Sequence, residues 1–282
     1  NTAIGHGALQ SNTTGGWNTA LGIAALGGNN TGCRNIAIGH QPMHSGTIGN
    51  DNVALGRDVL AYNEGGSNTG IGYLALKCNT TGGYNFAAGR LALYSNTTGS
   101  HNSAIGQNAL YSNTTGSNNS ATGNGALQVN TTGSHNFAAG RQSLYCNTTG
   151  SCNTAIGYFA LYKSLSGGNN FAAGNGALYN NWGGCWNSAI GPNALRNNTT
   201  GSSNFAVGQS AMTGALSGSN NVGFGTYSLK SNWGGSDNFA VGYISLCSNT
   251  TGYYNNAFGN YAMCSNTTGY QNNAIGKGTL QS

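Results

Sequence analysis

The chain has 282 residues, 49 of them glycine, with 38% hydrophobic and only 5% charged residues; nine Lys and Arg against four Asp and Glu leave a net charge of +5. This balance excludes a disordered chain, which needs high net charge and few apolar residues, and the basic residues form no stripe of the kind a nucleic-acid binder presents. No run of about 18 apolar residues is present to form a membrane-spanning helix.

The first element, Asn1-Thr2-Ala3-Ile4-Gly5, opens a motif of Asn, a variable residue, Ala or Gly, a mostly apolar residue and Gly. Copies begin at Asn1, Asn18, Asn35, Asn52, Asn68, Asn85, Asn102, Asn119, Asn136, Asn153, Asn170, Asn187, Asn204, Asn221, Asn238, Asn255 and Asn272, 17 residues apart with one exception. A short fixed period means units that cannot bury an apolar face alone and must stack on their neighbours. Residues 1–282 are therefore read as a single repeat domain. Starting on a repeat residue, without an initiator Met, the chain reads as a processed product or a window of a longer array.

Each coil is numbered here from place one at its leading Asn. Two or three glycines per coil, at about 1 kcal/mol each relative to Ala, defeat a helix, and Asn-Thr-Thr-Gly segments mark turns. The expected unit has a short strand at places two to four, a second at places eight to ten and a turn at places eleven to fifteen. Stacking these gives an all-β parallel β-solenoid, or β-roll, of about 17 coils with a rung spacing of about 4.8 Å and a length of about 80 Å. The Leu or Met at place nine and the residue at place four are expected to line its interior. Small residues at places three and five imply a close approach, either to the opposite wall of a thin coil or to a neighbouring chain. The seventeen place-one asparagines are expected to stack as an axial amide ladder.

Residues 35–67 are the least regular stretch: Pro42 enters, Gly46 replaces Asn at place twelve, and one residue is missing before Asn68. Three of the four acids, Asp51, Asp58 and Glu64, lie there, with Asp237 far away. Glycoside cleavage needs two carboxylates flanking one bond, and the stretch reads as a tolerated irregularity or a bend rather than a catalytic site. His6 and His40 share place six two coils apart, too distant for one zinc, and His44, His101 and His135 complete no cluster. No metal or cofactor is expected.

Asn-Thr-Thr sequons at Asn12, Asn79, Asn96, Asn113, Asn130, Asn147, Asn198, Asn249 and Asn266 would be N-glycan acceptors in a secreted eukaryotic protein. Glycans on consecutive rungs would crowd, so a turn motif is the stronger reading. Threonine columns also raise ice binding, but they fail at Ser164-Leu165-Ser166 and Asn181-Trp182-Gly183. Tyr94, Tyr111, Tyr145, Tyr162 and Tyr179 share place ten, and Phe86, Phe137, Phe171, Phe205 and Phe239 share place two. From Phe137 onward Phe alternates with Thr154, Ser188, Val222 and Asn256, as in an interdigitating interface; a sugar-stacking surface is the other reading of these aromatics. Cys247 and Cys264 both occupy place ten of adjacent coils, a spacing compatible with a disulfide, which would imply an oxidising compartment.

The units NTAIG, NSAIG and NNAIG, with Ala-Leu three residues later and Asn-Thr-Thr-Gly turns, resemble the head repeats of trimeric autotransporter adhesins, and more closely the arrays of phage tail-fibre-like and bacterial surface proteins. The resemblance covers the whole chain. It implies left-handed parallel β-rolls, usually three chains side by side, serving as stalk or head in surface attachment.

The functional expectation is a non-enzymatic structural fibre or adhesin shaft or head at a cell or virion surface, or a self-assembling extracellular filament. Its partners would be further copies, as a homotrimer or filament, together with glycans or surface receptors. A carbohydrate-binding module using the Tyr and Asn columns is the alternative, and a polysaccharide-cleaving spike a weaker one. No nucleic-acid partner or membrane insertion is expected.

Overall fold

The structure is a computed structural model, and it describes residues 1–281, among which there is no helix. The chain forms two compact units, Asn1–Phe137 and Ala138–Ser282. Each is a parallel β-solenoid that contributes one three-residue strand per coil. The first unit contains β1 (Thr2–Ile4) to β8 (Ser120–Thr122), the second β10 (Thr154–Ile156) to β17 (Asn273–Ile275), and β9 (Phe137–Ala139) spans their boundary. Within each unit pairing is parallel and place matches place. Thr2, Ala3 and Ile4 pair with Thr19, Ala20 and Leu21, and Thr154, Ala155 and Ile156 pair with Phe171, Ala172 and Ala173.

The strand stops at the place-five glycine for a steric reason. Gly106 sits at φ +128°, which side-chain-bearing residues rarely adopt, and a Cβ there would lie 2.7 Å from the carbonyl oxygen of Gly123 on the next coil. Coils can stack at this corner only because both lack a side chain.

The second strand expected at places eight to ten is absent. Residues of positive φ alternate with residues of negative φ there: in the coil from Asn102, Asn108 has φ 58° and Leu110 φ 52°, and Asn118 at place seventeen has φ 58°. The alternation keeps peptide groups pointing along the stack, so these corners still bond rung to rung as a strand would. Gly106 and Asn108 donate to Ala88 and Arg90 of the preceding coil at 2.8 and 3.0 Å. Leu110 and Ser112 donate to Ala126 and Gln128 of the following coil at 3.0 and 2.9 Å. Backbone satisfaction, not β conformation, is what the stack enforces.

The interior is thin. Place nine is buried as expected, by Leu26, Leu60, Leu93 and their equivalents in the inner coils, with the alanines of places three and eight buried alongside, while at the terminal coils Leu9 is half-buried and Leu280 exposed. Place four is not interior. In a three-residue strand of period two, inward pointing of the middle residue sends both flanking side chains outward, so Ile4, Ile105 and Ile190 are exposed while Ala104 and Ala189 are buried. The close approach implied by the small place-three residues is to the opposite wall of the same stack. At two coils that wall leaves no room even for alanine: a Cβ on Gly70 would collide with Val59, and one on Gly223 would lie 2.9 Å from Met212 Cγ.

The irregular coil at 52–67 keeps both neighbours in register. Asn68 N donates to Asn52 Oδ1 at 2.9 Å. Asn52 and Asn63 both donate to the carbonyl of Gly65, so the missing residue falls between places twelve and fifteen, in the turn. It is a tolerated shortening.

Candidate functional site

The place-one asparagines form the axial ladder that the repeat suggests. Asn102 donates its backbone N–H to Asn85 Oδ1 at 3.0 Å and its Nδ2 to the same oxygen at 3.2 Å. A second Nδ2 hydrogen closes the coil on Gly116 O at 2.9 Å. One side chain thus ties a coil to its neighbour and to its own far end, using donors and acceptor together.

A second ladder runs through place twelve. Asn113 Nδ2 donates to Asn96 Oδ1 at 2.8 Å and to Gly116 O at 2.9 Å, so both ladders converge on the place-fifteen carbonyl. These are the sequon asparagines. Asn79, Asn96, Asn113, Asn130, Asn147, Asn198 and Asn249 are fully buried, and Asn12 and Asn266 are half-buried at the terminal coils, with Nδ2 bonded to Gly15 O and Gly269 O. This burial favours the turn reading of the sequons over N-glycosylation, because a glycan on Nδ2 would enter the core and displace the ladder. The signal was present in the sequence, because Asn63, Asn181 and Asn232 keep the asparagine where the following residues break the sequon.

The place-twelve ladder has gaps. Asn29 Oδ1 and Asn198 Oδ1 are buried without a hydrogen-bond partner. In each case the next coil carries no amide at place twelve, since Gly46 and Ala215 stand there.

The predicted disulfide is absent, and all seven cysteines are free thiols. Cys247 Sγ instead donates to the Cys264 carbonyl at 3.4 Å. In-register stacking holds equivalent side chains parallel and about one rung apart, about 4.8 Å, whereas a disulfide needs its Cβ atoms at about 3.8 Å and converging. Burial pushes the Cys78 and Cys146 thiols above their ordinary value. The Tyr94 phenol is raised chiefly by the neighbouring Cys78 thiolate charge, and Tyr162 chiefly by burial.

The acids lie apart in their contacts. Asp51 takes a bidentate pair from Arg34 one coil below, at 2.6 and 2.8 Å. That hydrogen-bonded pairing holds the Asp51 carboxyl below its ordinary value and the Arg34 guanidinium above its own. Asp58 lies 3.4 Å from Arg57, and Asp237 accepts from Asn220 at 3.2 Å. Among the described residues no group of three His, Cys, Asp or Glu could hold a metal ion. His44 Nδ1 lies 2.7 Å from the Gln41 carbonyl, and His101 stacks on Tyr84 at 4.9 Å.

Two aromatic columns differ in what they offer. The place-ten tyrosines are half-buried and stack on one another: Tyr94 on Tyr111 at 5.2 Å, and Tyr145, Tyr162 and Tyr179 in series at 5.2 and 5.1 Å. Arg196 covers Tyr179 at 4.8 Å. Their faces are consumed within the stack and their edges point out. Places two and four, by contrast, form an exposed apolar face on each unit. Phe86 and Phe137 project from that of the first at 38% and 43% exposed, Phe171 and Phe205 from that of the second at 37% and 41%, where Phe239 also stacks on Phe258 at 5.1 Å.

No protein-family model matches the chain, and no curated protein matches it in sequence.

Proposed function

We propose that the chain is a non-enzymatic structural element: the repeat region of a surface fibre, an adhesin shaft or head, or a self-assembling extracellular filament at a cell or virion surface. The observation that carries this reading is the doubled asparagine ladder. It commits the most regular polar side chains in the sequence to joining coil to coil, with bonds of 2.6–3.2 Å recurring in each unit. Side chains engaged in this way serve cohesion, and the variable columns outside them are left to meet partners. Further copies are the proposed partners, as a homotrimer or a filament, and repeated weak contacts at the exposed turns would reach surface glycans or receptors through avidity.

Electron microscopy of the purified chain, with mass measurement in solution, tests the proposal. Discrete oligomers or filaments are expected. A chain that remains monomeric and binds glycans, with binding lost in Tyr111→Ala or Tyr145→Ala and melting unchanged, would replace it with the carbohydrate-binding reading.

A further inference from the structure

The exposed strand face of the second unit carries a pattern finer than its apolarity. In each strand one outward residue is larger than the other, the lesser member being Ala, Ser, Thr, Asn or Val, and the order reverses from coil to coil from Thr154–Ile156 to Asn256–Phe258, with Asn273–Ile275 repeating the order of the strand before it. In β11 (Phe171–Ala173) the large residue is at place two and the small one at place four. In β12 (Ser188–Ile190) the small residue comes first, and β13 (Phe205–Val207) returns to the first order. The large members stand out of the surface, with Phe171 37%, Ile190 39% and Phe205 41% exposed.

This reciprocity has a definite symmetry. A twofold axis parallel to the stack leaves the height of each coil unchanged and exchanges left for right. Place two of one copy then meets place four of the other at the same level. Phe171 would face the partner copy's Ala173, Ser188 its Ile190, and Phe205 its Val207, so each large residue meets the smaller member of the same strand, at the separation of about 10 Å typical of packed sheets. An axis perpendicular to the stack also reverses the coil order, and even when it passes midway between two coils it sets Ile156 against Ile275 at the ends of the unit, whereas the parallel axis matches all eight strands. A twofold contact uses one patch on both partners and so requires self-complementarity.

The area is adequate. An aromatic or large aliphatic side chain offers about 200 Å², so one that is about 40% exposed, together with its small neighbour, presents about 100 Å² per coil. Seven of the eight strands that lie wholly in the second unit carry such a residue, Phe239 being half-buried against Phe258, and together they present about 700 Å², close to the roughly 800 Å² each partner contributes to a standard stable interface. We infer that the place-two and place-four face of residues 154–275 is the binding surface for the same face of a second copy, joined side by side and parallel about a twofold axis. This rests on the self-associating reading proposed above and specifies its geometry: a pair, not a trimer.

Sedimentation equilibrium of the full chain tests it through a knob-and-hole exchange. Ala173→Phe puts a knob opposite a knob and is expected to weaken dimerisation about tenfold or more, since overpacking is costly. Adding Phe171→Ser restores one knob and one hole, in reversed order, and is expected to return affinity to within about threefold of wild type. Both variants should fold, because place four already carries Phe224 and Phe258 and place two already carries Ser188; unchanged melting by circular dichroism checks this. A wild-type trimer, a single variant that pairs like wild type, or a double variant that stays weak would overturn the twofold face. A trimer, or filaments one stack wide, would do so while leaving the structural role standing. A glycan-binding monomer would end both.

Discussion

At the scale of single residues, asparagine does the joining. Its amide supplies donor and acceptor in one short side chain, so a column of it can be bonded along the axis while each member also closes its own coil. The two unpartnered oxygens, on Asn29 and Asn198, mark where that arithmetic fails. Replacing Ala215 with Asn should bridge Asn198 and Asn232 and raise stability by about 1 kcal/mol in chemical denaturation, the usual net worth of a buried hydrogen bond. Asn113→Ala should lower it by about 3 kcal/mol, because it deletes the bonds to Asn96 and Gly116, leaves the buried Asn96 Oδ1 without that donor, and costs Asn130 Nδ2 one of its two acceptors. If Asn113→Ala were neutral, the place-twelve column would be a packing feature rather than a ladder.

At the scale of the coil, the decisive device is the alternation of backbone hand after the place-five glycine. Glycine is required there twice over, by its φ and by the carbonyl of the next coil. Gly106→Ala is expected to cost about 3 kcal/mol, at the upper end of what a strained backbone position carries, and the loss should appear as early hydrogen exchange in the coils on either side. The same alternation explains why a strand at places eight to ten is a natural misreading. Apolar residues flanked by turn signals carry a strand pattern, but nothing in Leu110 itself announces a φ of 52°. Likewise the apolar residues of place four suggested an interior position, yet the stack is too thin to house them beside the leucine of place nine, and they form the outer face.

At the scale of the whole molecule, charge contributes little. Ion pairs such as Arg34 with Asp51 are solvent-exposed and screened. The Asp51 contribution is present above the ordinary carboxylate range and fades as pH falls through its lowered folded value. Cohesion comes instead from repeated rung contacts, each coil interacting with its neighbours. The melting temperature is therefore expected to move by less than about 2 °C between about 50 mM and 1 M sodium chloride; a shift several times larger would show that electrostatics had been underestimated.

The period of 17, the parallel stacking in register, the leucine column and the place-one ladder were all legible in the chain, because each follows from identical residues recurring at a fixed interval. The second ladder was legible too, but a sequon and a buried amide share the same letters, and only burial separates them. What the tertiary structure alone decided was direction: which side chains of a three-residue strand face in, which way a corner residue turns, and that stacked thiols point past one another. Those choices depend on the thickness of the coil and the position of the next carbonyl, which are distances between coils, and no single repeat contains them.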